Sequence, residues 1–184
     1  MVRQPANSVT LSTGVEIARD ALVVAKADMA GRLIYVSPGF CDALGGTAQQ
    51  LMGQDLATMR HEQMPLAVQA LMWERLHCHR EFVGVWIGRR LCGEPFWTLG
   101  HVSPIVDRAS GALRGLHWVQ RWVSYNARDE VLAVYRQVAA REAEMTSPSA
   151  ASLAGRELLD SLLSSLGTTY DEWLMTLLAR CGDV

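Results

Sequence analysis

Arg60 and His61 precede Met64-Pro65, and Trp73 follows eight residues after that proline. A guanidinium and an imidazole that titrates near neutrality therefore sit just ahead of a proline able to open a helix, and the helix carries an indole. That layout suits a pocket wall. His61 is a candidate proton site, Arg60 a candidate anion contact or guard of a pocket mouth, and Trp73 a candidate aromatic lining. An indole on a helix over a sheet also has a plain role as core.

Other chemistry finds less support. No G-x-S-x-G elbow, phosphate loop or dinucleotide fingerprint occurs, and Ser103-Pro104 near His101 is an ordinary strand pair, so an enzyme is not expected. His77-Cys78-His79 with Cys92 invites a metal reading, but adjacent ligands on a helix end point in different directions. No metal site is predicted. Cys41, Cys78, Cys92 and Cys181 are unevenly spaced with no C-x-x-C, and they read as reduced thiols.

Half of the 184 residues are apolar (49%), enough for one core with an appendage, and the net charge of −2 comes with scattered basic residues. No footprint for nucleic acid is visible. No apolar run is long enough to span a bilayer, and Met1 to Thr13 lacks the order of a secretory signal, so a cytoplasmic location is expected.

The elements that must position these side chains are legible in outline. Leu22 to Ala27 and Arg32 to Val36 read as strands joined around Gly31. Ser37-Pro38 opens a short helix that stops at Gly45-Gly46, and Thr47 to Gln50 forms a capping box for another turn. A longer helix follows Pro65. Phe82 to Leu91, Phe96 to Val106 and Leu113 to Tyr125 are β-rich runs separated by turn signals, with Leu116, Trp118 and Trp122 on one face of the last. Asn126 is a candidate cap for a connecting helix. After Met145, the run Thr146 to Ser152 reads as a linker, followed by a stripe of Leu159, Leu162, Leu163 and Leu166. Gly167 ends that helix, and Thr169 to Glu172 caps a last one carrying Trp173, Leu174, Leu177 and Leu178. The fold class is α+β: a five-stranded antiparallel sheet with a helical flap and a C-terminal helical extension.

Gly31 to Ser37, Phe40, Gly53, Arg60-His61, Met64-Pro65, Met72-Trp73, Gly84, Arg89-Arg90, Gly93 and Trp97 together resemble PAS domains of the aerotaxis-receptor type. The resemblance covers about Leu22 to Arg128 and implies that the sheet and the helix after Pro65 enclose a cofactor, FAD. Arg60, His61 and Trp73 match positions near the flavin, and Arg89-Arg90 match the arginine pair ending the third strand. In that family asparagines stand where this sequence has Ser37 and Gly88. The implied site is therefore Arg60, His61, Trp73, Ser37, Gly88, Arg89, Phe82 and Trp86. The implied layout is an N-terminal segment over 1–21, a PAS sensor domain over 22–128, a connecting helix over 129–145, a linker over 146–152 and a helical pair over 153–184.

What the resemblance implies for function is a cytoplasmic sensor that passes redox or oxygen state to a protein signalling partner through its C-terminal helices, as a homodimer. The light-sensing relatives carry a cysteine in the stretch that here reads Thr58 to Met64 and lacks one, so covalent photochemistry is not expected. Two alternatives stay open. Ser37 and Gly88 in place of amides motivate a cofactor-free interaction module, and a haem reading requires His61, His77 or His79 to face the cavity.

Overall fold

The computed structural model describes residues 16–184, so most of the expected N-terminal segment lies outside the described residues. Strands β1 (Val23–Asp28), β2 (Leu33–Val36), β3 (Phe82–Arg89), β4 (Pro95–Val106) and β5 (Leu113–Arg121) form one sheet. Its order is β2-β1-β5-β4-β3, and the pairings are antiparallel. Helices α1 (Pro38–Leu44), α2 (Ala48–Leu51) and α3 (Leu66–His77), with a short 3-10 turn at Leu56–Met59, connect β2 to β3. Helices α4 (Tyr125–Ala143), α5 (Pro148–Ser165) and α6 (Tyr170–Cys181) complete the chain.

Local chemistry sets the first half. Asp28 Oδ1 accepts from the Ala30 and Arg32 amides, both at 2.9 Å, and Gly31 takes the left-handed conformation at φ 78°, which closes the β1–β2 hairpin. Ser37 Oγ accepts from the Phe40 amide at the start of α1, Gly45 caps its end, and Thr47 with Gln50 forms the expected box on α2.

Three expectations about the C-terminal half need correction. The expected linker at 146–152 contains the start of α5: Ser147 caps it by accepting from the Ala150 amide, and Pro148 follows as in Ser37-Pro38. α4 begins after Ser124, whose hydroxyl accepts from the Ala127 amide, so Asn126 lies inside the helix and not at its cap. Trp122 likewise falls beyond β5, where its Nε1 donates to Glu16 Oε1 at 2.7 Å. It stands apart from Trp118.

The register puts Phe82, Trp86 and Gly88 of β3, Phe96, Thr98 and Gly100 of β4, and Leu116, Trp118 and Gln120 of β5 on one face. Val85, Ile87, Trp97 and Leu99 take the other, and they too are buried. β3 is the end strand, so alternate backbone groups point away from the sheet and need partners. The Tyr135 hydroxyl donates to the Val85 carbonyl at 3.0 Å, and the His61 amide donates to the Ile87 carbonyl at 3.0 Å. Tyr135 and Tyr170 hydroxyls lie 3.1 Å apart, and the Tyr170 ring stacks on Phe82 at 5.5 Å. α5 packs between α3 and α4. The C-terminal helices thus fold back on this domain.

Tyr135 is fully buried, and burial raises its pKa well above the ordinary value, so the phenol stays neutral and donates. Tyr135→Phe leaves the Val85 carbonyl without that donor, and a loss of about 1–2 kcal/mol in urea unfolding is expected. Unchanged stability would show that the edge does not need this bond.

Candidate functional site

One face of the sheet, the 3-10 turn and the helices α1 and α3 enclose a cavity. Phe40, Leu44, Leu56, Met59, Met64 and Met72 supply its apolar wall, and Arg60, Gln69, Trp86, Gly88, Phe96, Trp118 and Gln120 also border it. Its volume is about 40 Å3.

Three N–H donors gather on this wall without an acceptor. Trp86 Nε1, Trp118 Nε1 and Gln120 Nε2 are buried and have no hydrogen-bond partner. Thr98 Oγ1 donates to Gln120 Oε1 at 2.8 Å, and this bond turns the amide nitrogen away to donate elsewhere. Gly100 lies across from Gln120 in the ladder, and a Cβ there would meet Trp118 Nε1 at 2.4 Å and Trp86 Nε1 at 2.6 Å. Only glycine lets both indoles lie on the strand at that point. The rings themselves meet edge to face at 4.9 Å. An unpaired buried donor costs about 1–3 kcal/mol, a cost that an acceptor entering the cavity would relieve at three points on one wall.

Of the residues expected at the site, Arg60, Trp86 and Gly88 reach the cavity. Arg60 pairs with Gly88 through a short antiparallel bridge, and its Nη1 donates to the Met64 carbonyl at 2.5 Å. Burial lowers the Arg60 pKa, while the charge of Glu142 opposes that shift. At Gly88 a Cβ would lie 2.3 Å from the Phe96 ring, so the phenyl group occupies the space that a longer side chain would take.

The remaining expected residues lie elsewhere. Ser37 Oγ is spent on the Val24 and Phe40 amides. Arg89 is exposed, with Nη2 donating to the Thr58 carbonyl at 3.0 Å. Phe82 sits between Tyr170 and Trp86. Trp73 packs against His77 and approaches the Gly31 turn, not the cavity. His61 is buried behind the wall, with Nδ1 accepting from the Gln63 amide at 3.2 Å. His77 and His79 are exposed, and no histidine borders the cavity among the described residues. The haem reading therefore lacks the cavity-facing histidine it requires.

Sequence reasoning missed Gln120, Thr98 and Gly100, and it placed Met64 in the motif before the helix but not among the site residues. The β5 alternation held the signal for Gln120, a polar residue in phase with Leu116 and Trp118 on the buried face. Thr98 and Gly100 gain meaning only through cross-strand register.

A five-stranded antiparallel sheet that closes with a helical flap over a polar-edged cavity defines the class of this α+β domain. The family model described as PAS fold matches residues 14–121, and the chain belongs to that family. It is 29% identical over 90 residues to the aerotaxis receptor of Escherichia coli strain K12, which is 49% of this chain and 18% of that receptor. The chain thus matches under a fifth of that relative's length. Among solved structures, the PAS domain of a protein from Colwellia psychrerythraea has a TM-score of 0.51 at 15% identity, covering 55% of this chain and 86% of that one. A light-oxygen-voltage domain studied with a flavin analogue has a TM-score of 0.53 at 18% identity, covering 61% and 83%. The blue-light photoreceptor Aureochrome1 LOV has 0.53 at 19%, covering 65% and 93%. At these identities the structures share the fold.

His61 yields a prediction about pH. Burial is the leading cause that lowers its pKa below 6.5, with the charges of Arg89 and Arg60 acting the same way. The unfolded chain takes up the proton first, so the stability His61 contributes is complete above pH 6.5 and is lost as pH falls toward the folded value. His61→Gln is expected to flatten the decline in unfolding free energy below pH 6.5, leaving the part owed to His117, whose pKa is also lowered. An unchanged slope would contradict the buried, neutral imidazole.

Proposed function

We propose that this chain is a cytoplasmic, flavin-binding PAS sensor of the aerotaxis-receptor kind that takes FAD and passes redox or oxygen state to a signalling partner. The observation that carries the reading is the set of unpartnered donors on Trp86, Trp118 and Gln120 at the edge of an apolar cavity. An isoalloxazine combines apolar ring faces with a row of carbonyl and nitrogen acceptors, and it supplies redox chemistry in which ring nitrogens gain protons on reduction. The indoles and the Gln120 amide would hold the acceptor edge. Phe40, Leu44 and Phe96 would enclose the rings and exclude water.

The open volume of about 40 Å3 holds a water or two, against roughly 300–1,000 Å3 for a usual small-molecule site. Uptake of FAD therefore requires side chains to give way. Met59, Met64 and Met72 are unbranched with soft torsions and suit that role, together with the Phe96 ring over Gly88. The same small volume favours a second reading, a cofactor-free PAS module whose filled core supports docking by the C-terminal helices.

A second copy of the chain is the expected partner on the sheet's other face. There Leu22, Val83, Leu99 and Val119 share a groove with Met175, Leu178 and Val184. Leu22, Met175 and Val184 expose apolar surface on it.

Titration of the purified chain with FAD, followed by absorbance before and after dithionite, separates the two readings. The flavin reading expects near one-to-one uptake and bleaching on reduction, and about tenfold weaker binding in Gln120→Leu, the effect of one lost hydrogen bond. A colourless protein that takes up no FAD establishes the cofactor-free module instead.

A further inference from the structure

α3 supplies Gln69 and Met72 to the cavity, yet Pro65 stands at its N-cap and offers no side-chain acceptor. The acceptor comes from about half the chain away. Glu142, in the last turn of α4, accepts from the Leu66 amide through Oε2 and from the Ala67 amide through Oε1, both at 2.8 Å. Burial raises the Glu142 pKa, and the two amide bonds at the start of the helix oppose that shift, being strongest to the ionised carboxylate. The carboxylate is enclosed, with Glu142 only 7% exposed.

Its enclosure depends on α5. A Cβ on Gly155 would lie 2.3 Å from Glu142 Oε1 and 2.9 Å from its Cδ, so α5 can close over the carboxylate only with glycine there. On the cavity side, Arg60 is the cation whose charge acts on Glu142, and Arg60 also holds the Met64 carbonyl, two residues before α3 begins. The cavity wall and the helices α3, α4 and α5 therefore meet at one carboxylate.

We propose that Glu142 is a positioning residue that joins the state of the cavity to the C-terminal helices. Side chains that move to admit an occupant, Met64 above all, shift the first turn of α3, and the two bonds from Leu66 and Ala67 pass that shift to α4 and, across Gly155, to α5. Buried hydrogen bonds with a close-packed lid suit this task, because such an arrangement holds one geometry or breaks. That the natural occupant is a flavin rests on the function proposed above; the joint itself does not.

The test is hydrogen exchange on the full chain, with β5 amides as the gauge of global opening. Met64→Ala loosens the cavity wall without touching Glu142. It is expected to raise exchange across 139–155 about tenfold over the β5 gauge, and by under about twofold when Glu142→Ala is already present, since coupled sites are not additive. Gly155→Ala should reproduce Glu142→Ala, and adding it to Glu142→Ala should cost little, because truncation removes the clash. Glu142→Gln, which keeps one acceptor, should restore part of the coupling. Where FAD binds, it should protect 139–155 in the native chain and fail to do so in Glu142→Ala at full occupancy. Equal effects of Met64→Ala with and without Glu142 would overturn the joint. If the native chain takes up no FAD, the flavin reading fails while the Met64 comparison still decides the joint.

Discussion

The outward carbonyls of β3 are the constraint on which the rest of this structure depends. An end strand of an open sheet must have its unpaired groups covered, and here two successive outward carbonyls are claimed by different parts of the chain. Ile87 takes the His61 amide from the segment that leads into α3, and Val85 takes the Tyr135 hydroxyl from α4. One edge therefore fixes both the cavity flap and the helix that leaves the sheet. Tyr170 extends the cover by bonding to Tyr135 and stacking on Phe82, which brings α6 to the same edge.

The cavity beside that edge owes its character to side chains that are missing. Gly100 leaves room for the Trp86 and Trp118 indoles, and Gly88 leaves room for the Phe96 ring. The result is an interior rich in aromatic surface whose N–H donors on Trp86, Trp118 and Gln120 face no acceptor in the protein. A core evolved only for stability would replace such donors with apolar groups of similar shape. On the function proposed above, a ligand bearing acceptors would satisfy these donors, and the flexible methionines around them would let the space adjust.

Much of the fold was legible because its signals are local. Asp28 to Gly31 sets a turn, Ser37-Pro38 opens a helix, and Thr47 with Gln50 and Thr169 with Glu172 form capping boxes within four residues. Ser147-Pro148 carried the same signal as Ser37-Pro38 but sat among small polar residues, whose composition suggests a linker. The site was less legible. Arg60, Trp86 and Gly88 reached the cavity, whereas His61, Trp73 and Phe82 turned to other partners, because a side chain's neighbours depend on helix rotation and strand register. Glu142 gave no sign at all, since its partners Leu66 and Ala67 lie 76 and 75 residues away.

On the function proposed above, the donors over Gly100 would receive the acceptor edge of a bound flavin. The most direct measurement is the indole N–H region of a proton–nitrogen correlation spectrum during FAD titration, with the signals assigned by single Trp→Phe variants. Of the six tryptophans in the chain, Trp86 and Trp118 are expected to move together to lower field and saturate at one equivalent, while Trp122, already bonded to Glu16, stays in place. Saturable FAD binding that leaves the Trp86 and Trp118 signals unmoved would contradict it.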